Sequence, residues 1–239
     1  MPIGNDLIDL RIRDAVGKAR DGRFVGRVFA PDEAARIASS THPDRTLWML
    51  WAAKEAAFKV ARKLQPTVLF AHAAYEVVPT ADERAHAAPS TERPSGYVHL
   101  RGLPGLDGVC LPVVWELTDS FIHCVASGLG DESRSRWTAV ASHEELELGT
   151  RPYDPSEREA ASARTTESLA VRRLASFLAS EAGLGEVEIV RELAGTVFGP
   201  PRLYRAGEGQ PLDDWDLSLS HDGGLVAAAL SGPSERSTL

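Results

Sequence analysis

Three places in this sequence hold residue types that could do chemistry together. Asp6 is a carboxylate in the opening segment MPIGNDL. Glu55 and Lys59 stand four apart in WAAKEAAFKV. Ser220 and His221 come just before Asp222-Gly223-Gly224. Residues four apart on a helix project from one face, about one turn from each other. An exposed Glu-x-x-x-Lys pair is an ordinary ion pair worth only ~0.2–0.5 kcal/mol. Here the pair is surrounded by apolar residues, with Trp51 one turn earlier and Lys54 and Arg62 nearby. That setting argues for partial burial, and a buried charge must be paired or bind a metal. Read singly, Asp6 is a turn or N-cap residue and His221 a turn histidine.

The elements that must position these groups follow from local patterns. MPIGNDL reads as a short apolar strand entering a turn, with Gly4 and Asn5 as turn residues and Asp6 in the turn. The next forty residues mix helix and loop. The spacing of Leu47, Leu50, Trp51 and Phe58 predicts a helix over 45–64, capped by Asp44 and closed by Pro66. Strands are expected at 72–79, 95–102, 108–117 and 120–128, the last two a hairpin joined at Thr118 and Asp119. Residues 80–95 are polar and rich in Pro and Ser, so they read as an exposed loop.

A second half repeats this order. An opening strand is expected within 134–148, then a polar stretch through Tyr153, Pro155 and Arg164, then a helix over 165–181 stopped by Gly183. Strands follow at 186–193, 201–207, 216–220 and 224–232. WELTDSFIHCVASG and LSLSHDGGLVAAALSG both read as strand, polar turn, strand, Ser-Gly, at an offset of 104 residues. The inference is an internal duplication of a helix with three or four antiparallel strands. It divides the chain into halves 1–130 and 131–239 and gives an α+β class. A cleft between related halves is a natural ligand site.

Composition narrows the function. The chain has 239 residues, 43% of them hydrophobic, enough to bury a core. A net charge of −8 argues against a general nucleic-acid binder. Within it, residues 11–27 carry six basic residues against two acids. That stretch is either a solvated face or a docking surface for a polyphosphate or an acidic partner. Cys110 and Cys124 sit in apolar stretches without CxxC spacing, which suggests neither a zinc site nor a disulfide framework. Reduced cysteines fit the cytoplasm. No signal-peptide pattern opens the sequence, and no apolar run nears the roughly 20 residues of a membrane span.

Taken in order, the motifs resemble a known family. IGNDLIDL at 3–10 resembles the opening (V/I)G-x-D motif of the 4'-phosphopantetheinyl transferase superfamily. LWMLWAAKEAAFKV at 47–60 resembles its second signature, an aromatic residue followed by K-E-A/S-x-x-K. RFVGRVF (23–29) and LSLSHDGGLVAAAL (217–230) also look like family segments. Asp6 and Glu55 are 49 positions apart, consistent with the family. The motif order is that of the small holo-acyl-carrier-protein synthase type. The length is that of the two-half surfactin-synthetase-activating type, a pseudo-dimer. The resemblance thus implies a monomeric pseudo-dimer, each half a long helix on a small antiparallel sheet, with one active site between the halves. Matching Glu55 to Glu167 puts Val171 where Lys59 stands, and Ser220-His221 falls on Glu116-Leu117.

The resemblance implies a reaction. 4'-Phosphopantetheine would pass from coenzyme A to a serine of an apo acyl- or peptidyl-carrier protein, with release of 3',5'-ADP. Asp6 and Glu55 would hold Mg²⁺, with Mn²⁺ as the alternative. The larger type often carries a further acid two residues after the metal Asp; here that place is Ile8, with Asp9 one further on. Two protein carboxylates therefore remain for the metal. Glu55 and Lys59 would be catalytic, and the general base is Glu55 or a metal-bound water. Ser220, His221, Lys54, Arg23 and Arg27 would bind coenzyme A, while Arg11 and Arg13 would meet phosphates or the carrier. The alternatives are an inactive coenzyme A or carrier-binding module of the same fold, and a hydrolase using Cys124 with His123 or Ser220 with His221. Adjacent strand residues point to opposite faces, and no GxSxG elbow is present.

Overall fold

The computed structural model describes residues 1–80, 93–128, 134–148, 165–194 and 197–234. The expected loop at 80–95 lies largely outside these, and so does the polar stretch through Tyr153, Pro155 and Arg164. The architecture is α+β. The chain divides into two compact units, Asn5–Leu129 and Met1–Gly4 with Gly130–Leu239.

The first of these is built on a five-stranded sheet ordered β1-β5-β4-β3-β2. Its strands are β1 (Ile3–Asp9), β2 (Tyr75–Pro79), β3 (Ser95–Leu100), β4 (Cys110–Leu117) and β5 (Phe121–Ser127). β2 to β5 pair antiparallel in succession. The helices are α1 (Gly22–Val28), α2 (Pro31–Ser39) and α3 (Pro43–Leu64). α3 packs along the sheet, chiefly on β5. Its sheet face is made small by Ala52, Ala53, Ala56, Ala57 and Ala61, all fully buried. Small side chains let the helix backbone lie close to the strands. Trp115 on β4 donates its indole N–H to Met49 O at 2.9 Å and pins the helix to the sheet centre.

Three local expectations are corrected. Gly4 and Asn5 are strand residues, and Asp6 lies within β1, not in a turn after it. Their turn propensity yields to pairing and burial, since all seven residues of β1 are buried. The helix begins at Pro43 with His42 as an N-cap that makes no side-chain hydrogen bond. Asp44 instead accepts from the Gly17 and Ala19 N–H groups, each at 2.7 Å, and ties the segment before α1 to α3. The strand expected from 72 starts at Tyr75, after a 3-10 turn over His72–Ala74.

The second unit has a three-stranded sheet ordered β6-β10-β9 and a β7–β8 hairpin. The strands are β6 (Ser135–Ser142), β7 (Val187–Ala194), β8 (Val197–Arg205), β9 (Asp216–Asp222) and β10 (Leu225–Gly232). The strand expected within 134–148 ends at Ser142, where α4 (His143–Leu148) begins. Helix α5 (Thr166–Glu181) packs on β10 and β9. The Thr165 side chain caps it by accepting from Ser168 N–H. Gly183, at φ 79°, takes the left-handed conformation just past its end.

The two units share a register. β4 pairs with β5 as Val113↔Ala126 through Leu117↔Ile122. Shifted by the 104-residue offset of the sequence, these pairs become Leu217↔Leu230 through His221↔Val226, which are the pairs of β9 with β10. The sheet orders β1-β5-β4 and β6-β10-β9 correspond in the same way.

Candidate active site

The alternation of β1 and the helical period of α3 bring Asp6, Glu55 and Lys59 together. Lys59 Nζ donates to Asn5 O at 2.6 Å and to Asp6 Oδ1 at 3.1 Å. The carboxylate of Asp6 is only 12% exposed and the side chain of Lys59 29%. Glu55, one turn before Lys59, is partly buried. Its pKa is pushed up to about 7, first by burial and then by the negative charge of Asp6, with Lys59 acting the other way. Lys59 is thus bonded to the buried carboxylate of Asp6, and the partly buried Glu55 nearby resists ionising.

Such a pair suits a divalent ion. Carboxylate oxygens are the hard donors that Mg²⁺ takes, and Mg²⁺ keeps several waters rather than demanding a full protein cage. A cation held by Asp6 and Glu55 would favour the ionised form of Glu55 against the burial and the Asp6 charge that raise its pKa. Among the described residues no group of three or more His, Cys, Asp or Glu is arranged to hold a metal. Asp9 is engaged by Arg11, whose Nε and Nη2 donate to its two oxygens at 2.8 Å. The residues present therefore fit a metal held by two protein carboxylates.

Buried neighbours hold these groups in place. Asn5 is fully buried, and its Nδ2 lies 3.1 Å from His123 Nε2. His123 is kept neutral, its pKa down to about 3, by burial first and then by the charges of Lys59 and Arg93. Cys124 is fully buried, and burial raises its thiol well above its ordinary value. A dry, protonated thiol beside a buried neutral histidine is no hydrolase nucleophile.

Lys54 corrects the sequence reading. Expected to reach coenzyme A, it is completely buried. Its ammonium donates to Glu33 Oε2 at 2.7 Å, to Tyr75 O at 2.5 Å and to His72 O at 3.2 Å. Three acceptors use all three N–H bonds, so none is left for a phosphate. Burial lowers its pKa, against the opposing pull of Glu33. Glu33 also accepts from Ala30 N–H at 2.7 Å and Val77 N–H at 2.8 Å. The pair locks α2 and β2 onto α3, beside Glu55. No signal near Lys54 in the sequence points to Glu33, 21 residues away.

Arg23 and Arg27 are exposed, one turn apart on α1. The positive charge of Arg27 reaches His72, whose pKa is lowered first by burial, then by Lys54 and Arg27. Ser220 and His221 belong to the other unit, near the end of β9. Ser220 is buried and His221 exposed. Glu167, in the first turn of α5, is held below its ordinary pKa first by its own backbone N–H and the Thr165 hydroxyl, with lesser help from His221 and His143.

No curated protein matches the chain. Residues 2–108, the stretch that carries Asp6, Glu55 and Lys59, match the family model of the 4'-phosphopantetheinyl transferase superfamily, and the kinship read from the motifs is thereby shown for that part of the chain.

Proposed function

We propose that the protein transfers 4'-phosphopantetheine from coenzyme A to a serine of an acyl- or peptidyl-carrier protein and releases 3',5'-ADP. The observation that carries this is the gathering of Asp6, Glu55 and Lys59 at one half-buried place, within the residues that match the superfamily. The serine oxygen forms a bond to the phosphorus bearing pantetheine, and the bond from that phosphorus to the 3',5'-ADP oxygen breaks. A divalent cation on Asp6 and Glu55, Mg²⁺ or Mn²⁺, would supply positive charge against the pyrophosphate oxygens. Lys59 offers a mobile point charge to the transferred phosphate. Its hold on Asn5 O and Asp6 Oδ1 keeps it aimed there before substrate arrives. Glu55 accepts the serine proton once it is ionised.

Arg23 and Arg27 are proposed to meet the phosphates of coenzyme A or the acidic face of the carrier. Ser220 and His221 are proposed at the nucleotide end of coenzyme A, with His221 at the 3'-phosphate. The common register of the β4–β5 and β9–β10 hairpins supports a pseudo-dimer joined near residue 130, acting as a monomer. Absence of a helix long and apolar enough to cross a membrane, among the described residues, is compatible with a cytoplasmic site of action.

Incubation of an apo carrier with coenzyme A and Mg²⁺, followed by mass spectrometry, tests the reading. The carrier gains one phosphopantetheine with the protein and none when Mg²⁺ is withheld. An unchanged carrier with coenzyme A bound to the protein means an inactive binding module instead.

A further inference from the structure

β1 carries Asp6, yet burial does not tell the two faces of this strand apart. All seven of its residues are buried. A slip of one residue along the neighbouring strand would turn every side chain to the other face. Asp6 would then turn away from Lys59, which donates to Asp6 Oδ1 at 3.1 Å and to Asn5 O at 2.6 Å. In its sheet β1 has one neighbour, β5, so a single ladder holds it. Something besides burial must fix the register.

One buried pair is placed to do so. Asn5 on β1 is fully buried, and His123 on β5 nearly so. Their side chains meet across the two strands, with Asn5 Nδ2 3.1 Å from His123 Nε2. For stability alone the pair is a poor choice, because two apolar groups of the same shape would serve the fold about as well. What a buried polar pair adds is selectivity. Any other register parts the two groups and leaves each without this hydrogen bond in a dry place. A single buried polar position fixes the register of coiled coils on the same principle. Asn5 is also the residue whose backbone O holds Lys59, and its next neighbour is Asp6. The pair therefore fastens β1 at the point from which Lys59 is aimed.

We propose that Asn5 and His123 are positioning residues for the transfer reaction: their side-chain hydrogen bond locks β1 in register on β5 and so presents Asn5 O and Asp6 to Lys59. That the lock serves transfer rests on the function proposed for Asp6, Glu55 and Lys59. The lock itself does not. Both residues act through Lys59 and Asp6, and neither has to touch the reacting atoms.

The test is the variant carrying Asn5→Val and His123→Leu together, which replaces both polar groups by apolar ones. Beside it stand each single change and His123→Gln, whose amide keeps a hydrogen-bonding group for Asn5. Three quantities are read on the full chain: the melting temperature, hydrogen–deuterium exchange of the β1 amides, and kcat with KM for coenzyme A on an apo carrier. Each apolar single variant is expected to melt lower, since it leaves a buried partner unsatisfied, and the double variant to melt near the wild type. In the double variant the β1 amides exchange faster all the same. Its kcat falls about hundred-fold, as for a misplacement of ~1 Å, with a smaller rise in KM. His123→Gln keeps the slow exchange and most of kcat. A double variant with wild-type melting, slow exchange and wild-type kcat means a pair that only fills the core, and overturns the proposal. Slow exchange with a lost kcat overturns it too, since register is then not what the pair fixes. If the double variant melts far below the wild type, His123→Gln and His123→Leu decide. Equal loss of kcat and of β1 protection in both overturns the proposal, and loss in His123→Leu alone upholds it. If the wild type itself transfers no phosphopantetheine, the transferase reading falls, and the exchange measurement still decides the lock.

Discussion

A carboxylate shut away from water keeps its proton to higher pH, the more so near a second carboxylate, and partly buried Glu55 near Asp6 follows this. Its pKa of about 7 in the folded, metal-free protein lies above its ordinary value of 4.5. Between those values the folded state binds more protons than the unfolded one, so stability falls as pH rises through that window and levels off above it. Thermal melts in a chelator from pH 4 to 8 check this: the wild type loses melting temperature through the window and Glu55→Gln loses less. A cation competes with the same proton, so Mg²⁺ binds more tightly as pH rises toward 7, with affinity levelling beyond. Glu55→Gln and Asp6→Asn are expected to abolish Mg²⁺-dependent modification of the carrier while leaving the fold intact; turnover like the wild type by either would falsify the metal site. Lys54 calls for a different measurement. Lys54→Ala leaves Glu33 buried without its cation and is expected to destabilise the protein by about 3–5 kcal/mol in urea titration. Any loss of coenzyme A binding then follows from the lost fold.

At the scale of elements, α3 positions the site by lying close to the sheet. Ala56 is fully buried next to Glu55, so Ala56→Leu forces the helix away from the strands. The expected destabilisation is about 1–3 kcal/mol, with a fall in kcat larger than the rise in KM because Glu55 and Lys59 move off Asp6. Gly96 on β3 shows the same tightness within the sheet. A Cβ there would lie 2.7 Å from Val78 O and 3.0 Å from the Trp115 ring. Gly96→Ala is therefore expected to lower the midpoint of urea unfolding. α3 and both hairpins were legible from their residues, since helical spacing and turn chemistry act within a few positions. The start of α3 and the extent of β1 were not. Asp44 has the chemistry of a cap, but two backbone N–H groups of the Gly17–Ala19 segment claim its carboxylate. Gly4 and Asn5 have turn propensity, but sheet pairing overrides it.

For the molecule as a whole, charge is distributed against the net value of −8. Exposed Arg23 and Arg27 present a basic face in an acidic chain. Reversing both to Glu is expected to raise KM for coenzyme A or carrier several-fold with little change in kcat. It is also expected to flatten the dependence of kcat/KM on ionic strength, since exposed charges act mainly on encounter. His221→Ala, at an exposed position, is expected to leave the melting temperature unchanged and weaken coenzyme A binding. Calorimetry with coenzyme A and dephospho-coenzyme A separates a 3'-phosphate contact from any other role.

What the sequence determined by itself is what local chemistry dictates. Glu55 and Lys59 on one helical face, the two strand-turn-strand endings, and the motif order from Asp6 to His221 all depend on neighbours in the chain. Only the tertiary structure decided which charges are buried and with what. Lys54 and Glu55 are adjacent and looked alike as candidates. One is sealed by Glu33, Tyr75 O and His72 O, and the other is left half-buried against Asp6. That difference arises because consecutive helix positions face about 100° apart. The partners waiting on each side come from distant parts of the chain.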